Sequence, residues 1–252
     1  MINFVGAGAG AADLITVRGA KLLENADVII YAGSLVNPAL LEYAKKGCKI
    51  YNSAQMTLEE VISVMLDAER CGLSTVRLHT GDPAIYGAIR EQMDILDKNG
   101  VEYAVCPGVS SMFGAAAALK AEFTLPDVSQ SVIVTRMAGR TPVPDTESIE
   151  SFAAHKATMV IFLSAGMTKE LSQRLINGGY PPETPAAIVY KASWPDEKVF
   201  KTTVENLHKT AVENGITKTA LILVGGFLGD KYDRSKLYDP HFSHQFREGK
   251  ED

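Results

Sequence analysis

Short apolar runs alternate along this chain with longer amphipathic ones. Ile2 to Val5, Val28 to Tyr31, Lys49 to Asn52, Thr75 to His79 and Tyr103 to Cys106 are compact, largely β-branched or aromatic segments, which predicts strands. Between them, Val17 to Asn25, Pro38 to Lys45, Leu58 to Cys71 and Ala84 to Lys98 carry apolar residues at helical spacing. Such alternation predicts βαβ units and a mainly parallel sheet. An alanine-rich helix, Ser111 to Leu119, follows the fifth strand.

After that helix the rhythm changes. Loops at Ala121 to Asp127 and Ala138 to Asp145 are rich in Pro, Gly and Thr, and strands are predicted at Val132 to Thr135, Met159 to Leu163, Ala187 to Lys191, Val199 to Thr203 and Ala220 to Val224. Only Ala192 to Lys198 separates the third and fourth of these. That is too short for a helical crossover, so an antiparallel hairpin and a mixed sheet are expected. The expected organisation is two α/β domains, 1–115 and 122–238, with the active-site cleft between them and a polar, mobile tail over 239–252.

Composition narrows the class. With 252 residues, 46% hydrophobic and 22% charged, the chain has enough apolar material for a real core. It contains no long uninterrupted apolar stretch and enters a strand at once without a basic leader, so a cytoplasmic protein with no membrane association is expected. Lys and Arg total 25 against 30 Asp and Glu, a net charge of −5, which argues against a nucleic-acid partner. Cys48, Cys71, Cys106 and the five histidines show no zinc or redox spacing. No metal site is expected, and the thiols are read as reduced and mostly buried.

The most telling chemistry lies in Leu78-His79-Thr80-Gly81-Asp82-Pro83-Ala84-Ile85-Tyr86-Gly87, where a strand hands over to a helix. Gly81 admits a positive φ or close approach, Pro83 fixes its own φ, and Asp82 is driven toward extended backbone by the proline after it. The corner is either an ordinary turn or a rigid shelf at a strand's carboxyl end, where open α/β sheets bind small molecules. A second glycine-rich run, Gly6-Ala7-Gly8-Ala9-Gly10-Ala11, matches the dinucleotide pattern G-x-G-x-x-A and raises the alternative of a nicotinamide or flavin oxidoreductase. That reading wants an acid at the carboxyl end of the second strand, whereas Asp27 begins it. Asp13 would also stand where a pyrophosphate would sit.

The Gly-Asp-Pro segment resembles the L-x-x-G-D-P-x-I-Y-G signature of the tetrapyrrole (corrin and porphyrin) methyltransferases. So do Val5 to Gly10 running into Asp13 to Gly19, Cys106-Pro107-Gly108-Val109-Ser110-Ser111, and Thr124-Leu125-Pro126 followed by Gln130 to Arg136, in the family's order. Tyr31 to Val36 and Ser110 to Ala116 are similar to the branch that acts at C11 of precorrin-4 or cobalt-precorrin-4 in cobalamin biosynthesis. The resemblance implies the two-domain tetrapyrrole methylase fold, S-adenosylmethionine as methyl donor with S-adenosylhomocysteine as product, a tetrapyrrole substrate and a homodimer. Of the two ring forms, the cobalt-bearing one is favoured. Another acceptor, such as uroporphyrinogen III, is the alternative within the family.

Carried over position by position, the resemblance implies donor contacts at Thr80, Gly81, Asp82, Ile85, Ser110, Ser111, Leu163 and Ala192, with Met137 as an extra wall. Ala9 stands where the wider family more often has proline. Leu163, Ala192 and Met137 are equally readable as core, Ser110 or Ser111 as a helix cap, and Asp82 as the cap of its own turn. Methyl transfer from a sulfonium needs alignment more than acid–base machinery, so no triad is expected. His79 and Tyr86 flank the shelf as candidates for proton handling. Arg18, Arg136, Arg140 and Lys191 are candidates for holding substrate carboxylates.

Overall fold

The computed structural model describes residues 1–250. The chain separates into two compact units, the first formed by Met1–Ala115 together with Lys191–Asp196, the second by Ala116–Tyr190 and the segment from Glu197 onward.

The first unit is built on five parallel strands, β1 (Ile2–Gly6), β2 (Val28–Tyr31), β3 (Lys49–Asn52), β4 (Thr75–His79) and β5 (Tyr103–Cys106), in the order β3-β2-β4-β1-β5. Side chains alternate across a strand, and both faces of the sheet are covered. One face sets Val5, Ile29, Val76 and Leu78 with Leu23 and Leu40; the other sets Ile2, Phe4, Val28 and Ile30 with Val61, Met65 and Leu96. Helix α1 (Val17–Asn25) starts at Thr16, whose hydroxyl accepts from the Gly19 amide at 3.1 Å. Helix α2 (Leu58–Arg70) starts at a reciprocal box between Thr57 and Glu60.

Helix α3 (Arg90–Lys98) corrects the expectation of a helix from Ala84. Tyr86 and Ala88 adopt φ of 55° and 50°, and at Gly87 a Cβ would overlap the Pro83 carbonyl oxygen. The chain after the Gly-Asp-Pro corner is therefore coiled too tightly to enter α-helix for another turn. Pro38–Tyr43 forms 3-10 rather than α-helix. Cys106 is buried, but Cys48 is half-buried and Cys71, at the end of α2, is exposed, so most of the thiols are not buried as expected.

Helix α4 (Ser111–Leu119) leads into the second unit's sheet, β6 (Val132–Arg136), β7 (Thr158–Phe162), β8 (Pro185–Tyr190), β9 (Lys198–Thr203) and β10 (Ala220–Val224), in the order β6-β7-β10-β8-β9. β6 and β7 are parallel and the remaining pairs antiparallel, including the β8–β9 hairpin, so this sheet is mixed as predicted. Helices α5 (Ile149–Ala153), α6 (Thr168–Asn177) and α7 (Leu207–Glu213) supply Ile149, Leu171, Leu175 and Leu207 to a core with Met159, Ile161, Ile188 and Ile222. In the tail, Arg247 donates to the carbonyls of Leu237 and Phe242 at 3.0 and 3.3 Å; positions 251 and 252 lie outside the described residues.

Candidate active site

Three strand ends converge on bare backbone. Beyond β4, Gly81 takes φ 62° and pairs with Gly8, each amide donating to the other's carbonyl at 3.2 Å, so the glycine run after β1 is stitched to the turn after β4. The turn after β5 closes on the same point. A Cβ on Gly6 would stand 2.5 Å from Gly108 Cα, and one on Gly108 would overlap the Gly81 carbonyl oxygen. Gly6 and Gly108 thus have no room for a side chain, and the three strand ends pack main chain against main chain, with Gly6 and Gly81 buried.

Asp82 locks this arrangement. One carboxylate oxygen accepts from the Ala84 amide at 2.8 Å, capping its own turn, and the other accepts from the Gly108 amide at 2.8 Å. Beside it, the Thr80 hydroxyl oxygen is buried with no hydrogen-bond partner. Ile85 is half-buried, while Tyr86 is 46% exposed on left-handed backbone. Ser110 is buried at the start of α4, where its hydroxyl accepts from Met112 at 3.5 Å and its carbonyl from Phe113 at 3.0 Å, a capping role; Ser111 is the first, half-buried helical residue.

His79, the last residue of β4, is 3% exposed, its ring centre 6.1 Å from that of Phe4 with the two planes tilted by 31°. Burial first, and the Arg77 guanidinium second, push its pKa down to about 3, so the imidazole is neutral at physiological pH. Its Nε2 has no partner.

The glycine run is held from both sides by residues that local sequence did not single out. Asn37 donates to the Gly10 carbonyl at 3.0 Å, and the Ala11 amide donates to the Ser193 hydroxyl at 2.9 Å. Trp194 lies so close that a Cβ on Gly10 would come within 2.6 Å of its Nε1. Ala9 and Ala192 are both buried beside Gly114. Asn37 carries the readable signal of a cap before Pro38, and it does accept from Ala39 at 3.0 Å. Ser193 carries none, being 182 residues from its partner.

Asp27 bears on the dinucleotide alternative. It sits at the amino end of β2, takes a hydrogen bond from the Ser74 amide at 2.9 Å and pairs with Lys45 at 2.6 Å. Lys45 above all, with Ser74, holds its carboxyl at a pKa of about 2. It is committed to tying loops together at the amino end of the sheet and lies at the wrong end of the strand to hold a ribose.

The basic candidates fall in both units. Arg18 is exposed on α1. Lys191 pairs with Asp196 at 2.6 Å and lies 5.2 Å from the Trp194 ring centre. In the second unit Arg136 spends its guanidinium on the carbonyls of Met137, Thr141 and Pro142 at 3.1, 3.1 and 2.7 Å, while Arg140 in the same loop is exposed. Met137 is 2% exposed within that unit's core, its amide donating to the Ser164 hydroxyl at 2.9 Å. Leu163 is the opposite case, 63% exposed just beyond β7 with φ 51°. Among the described residues no cluster of three or more His, Cys, Asp or Glu could hold a metal ion, and no helix is long and apolar enough to cross a membrane.

A five-stranded parallel sheet with close-packed glycines at the carboxyl ends of its strands, and a second unit with a mixed sheet in the same chain, define a two-unit α/β protein. The model of the tetrapyrrole (corrin/porphyrin) methylases matches residues 1–208. A cobalt-precorrin-4 C(11)-methyltransferase of Methanocaldococcus jannaschii is 55% identical over 247 residues, covering 98% of this chain and 95% of that protein. Among solved structures, a cobalamin biosynthetic enzyme, cobalt precorrin-4 methyltransferase, superimposes with a TM-score of 0.89 at 50% identity, covering 91% of this chain and 96% of that one. A uroporphyrin-III C-methyltransferase from Thermus thermophilus complexed with S-adenosylhomocysteine gives 0.76 at 27% identity, covering 90% and 98%. The chain belongs to the tetrapyrrole methylases.

Proposed function

We propose that this protein transfers a methyl group from S-adenosylmethionine to C11 of a precorrin-4 macrocycle, in its cobalt-bearing form, as a step of cobalamin synthesis. Similarity over nearly the whole length of both chains to a cobalt-precorrin-4 C(11)-methyltransferase carries the reading. The shelf fits the donor on its own evidence. A buried Thr80 hydroxyl oxygen without a protein partner is a polar group that a bound ligand would satisfy.

In this reading Thr80, Gly81, Ile85, Ser110, Ser111, Ala9 and Ala192 contact the donor, and Asp82 builds the surface they share. In the second unit Leu163, exposed on left-handed backbone, is the proposed apolar contact, with Met137 supporting its neighbourhood. The sulfonium, when bound, supplies an already activated methyl. The chain's task is to hold acceptor carbon, methyl and sulfur in line and to keep water away; such positioning supplies roughly 7–11 kcal/mol at best. Tyr86, exposed beside the shelf, is the candidate for proton handling, because the buried neutral His79 cannot take up a proton near neutral pH. Arg140 and Arg18 are the basic candidates with side chains turned to solvent. A homodimer, which rests on family resemblance alone, and a cytoplasmic location, which rests on the lack of a long uninterrupted apolar stretch, belong to the same reading.

Calorimetry with S-adenosylhomocysteine and with NAD, followed by mass analysis of cobalt-precorrin-4 incubated with donor and protein, tests the proposal. Binding of the homocysteine and gain of one methyl on the ring are expected. Uptake of NAD with indifference to the homocysteine would overturn it.

A further inference from the structure

We propose that Arg77 and Gln92 form a buried relay that fixes the loop between Pro83 and Ile89, making both of them positioning residues for the ligand on the shelf. The ligand used to test this rests on the methyl-donor reading; the relay itself does not.

Arg77 lies on β4, in register with Phe4 of β1 and Ile30 of β2, and is 6% exposed. Its Nη1 donates to the carbonyls of Ile30 at 3.1 Å and Leu78 at 3.5 Å, and its Nε donates to Gln92 Oε1 at 3.3 Å. All three acceptors are neutral. Burial lowers the guanidinium pKa to about 10, which still leaves it charged at neutral pH. A charge taken out of water without a carboxylate partner is a poor way to stabilise a core, and an apolar side chain there would serve stability as well or better. Its presence points to another task.

That task is visible one bond further on. Arginine offers only donors, so the Gln92 carbonyl oxygen must face it, and the amide nitrogen is turned the other way. There Gln92, itself 4% exposed, donates to the Ala88 carbonyl at 3.0 Å. Ala88 and Tyr86 both stand on left-handed backbone, a conformation that side-chain-bearing residues keep only when their surroundings impose it. The relay thus runs from a central strand of the sheet to the strained loop that presents Ile85 and Tyr86 beside Gly81 and Asp82.

The full-length protein and two variants decide the matter, each measured for thermal midpoint, amide exchange over residues 84–89, and affinity for S-adenosylhomocysteine. Gln92→Glu keeps an acceptor for Arg77 but cannot donate to Ala88. It should retain the thermal midpoint while exchange in 84–89 rises and affinity falls about tenfold, the equivalent of one lost hydrogen bond. The double variant R77M/Q92M removes the charge together with its acceptor, and so should stay folded while loosening the same loop. Wild-type exchange over 84–89 in both variants, or a lowered midpoint with no local change, would overturn the relay. Failure of the wild-type protein to bind the homocysteine would sink the methyl-donor reading, and the exchange comparison would still decide the relay.

Discussion

The carboxylate of Asp82 accepts from the amide of Gly108 at 2.8 Å, tying the turn after β4 to the turn after β5 across 26 residues of sequence. With its other oxygen on Ala84, Asp82 holds two main-chain amides. The Gly-Asp-Pro signature is therefore first a device for joining strand ends.

Asp82→Ala should lower stability to urea by about 2–3 kcal/mol, since two hydrogen bonds to a charged acceptor are lost, one of them at an exposed position. Asp82→Asn keeps one acceptor oxygen and should lose about half as much. In both variants affinity for S-adenosylhomocysteine should fall in parallel with stability. Unchanged urea midpoints would show that the tie does not matter.

Two glycines should respond differently to alanine. At Gly81 a Cβ has room, its nearest neighbour being Ser110 Cα at 3.5 Å, so the cost is that of left-handed backbone, about 1–2 kcal/mol. At Gly108 the Cβ would overlap the Gly81 carbonyl oxygen and force the strand ends apart. Gly108→Ala should therefore lose more stability than Gly81→Ala in thermal unfolding; equal losses would contradict the close approach.

His79 predicts the acid limb of stability. Its folded pKa of about 3 lies below the ordinary 6.5, so between those values the unfolded chain binds a proton that the folded one excludes. The stabilisation is complete above pH 6.5 and is lost as pH falls toward 3. His79→Gln should flatten the fall in thermal midpoint between pH 6.5 and 5, a range above the ordinary carboxylate pKa values. The same slope in wild type and variant would exclude this source.

Arg136 and Arg140 separate support from substrate contact. Arg136→Ala frees three carbonyls and should speed proteolysis in the loop 137–142. Arg140→Ala should leave that rate alone and raise the apparent KM for the tetrapyrrole. A KM unchanged in Arg140→Ala would remove it from the substrate site.

Trp194 is the chain's one tryptophan and rests on Gly10. Gly10→Ala should therefore shift its fluorescence emission by displacing the indole. An unaltered spectrum would mean that the Lys191–Asp196 segment does not rest on the glycine run.

By itself the sequence determined where the strands run and where the chain turns. All ten strands lie within two residues of the positions read from apolar runs, and the parallel-then-mixed order follows from what separates them. Side-chain alternation, turn formers and connection length are local properties, so they are written locally. Tertiary structure alone decided what each polar group does: Asp82 reaching Gly108, Ser193 reaching Ala11, Arg136 turning its donors onto its own loop, and α3 waiting until Arg90 while Gln92 holds Ala88. A hydrogen bond between distant residues depends on which strand ends the sheet order brings together, and no spacing along the chain encodes that.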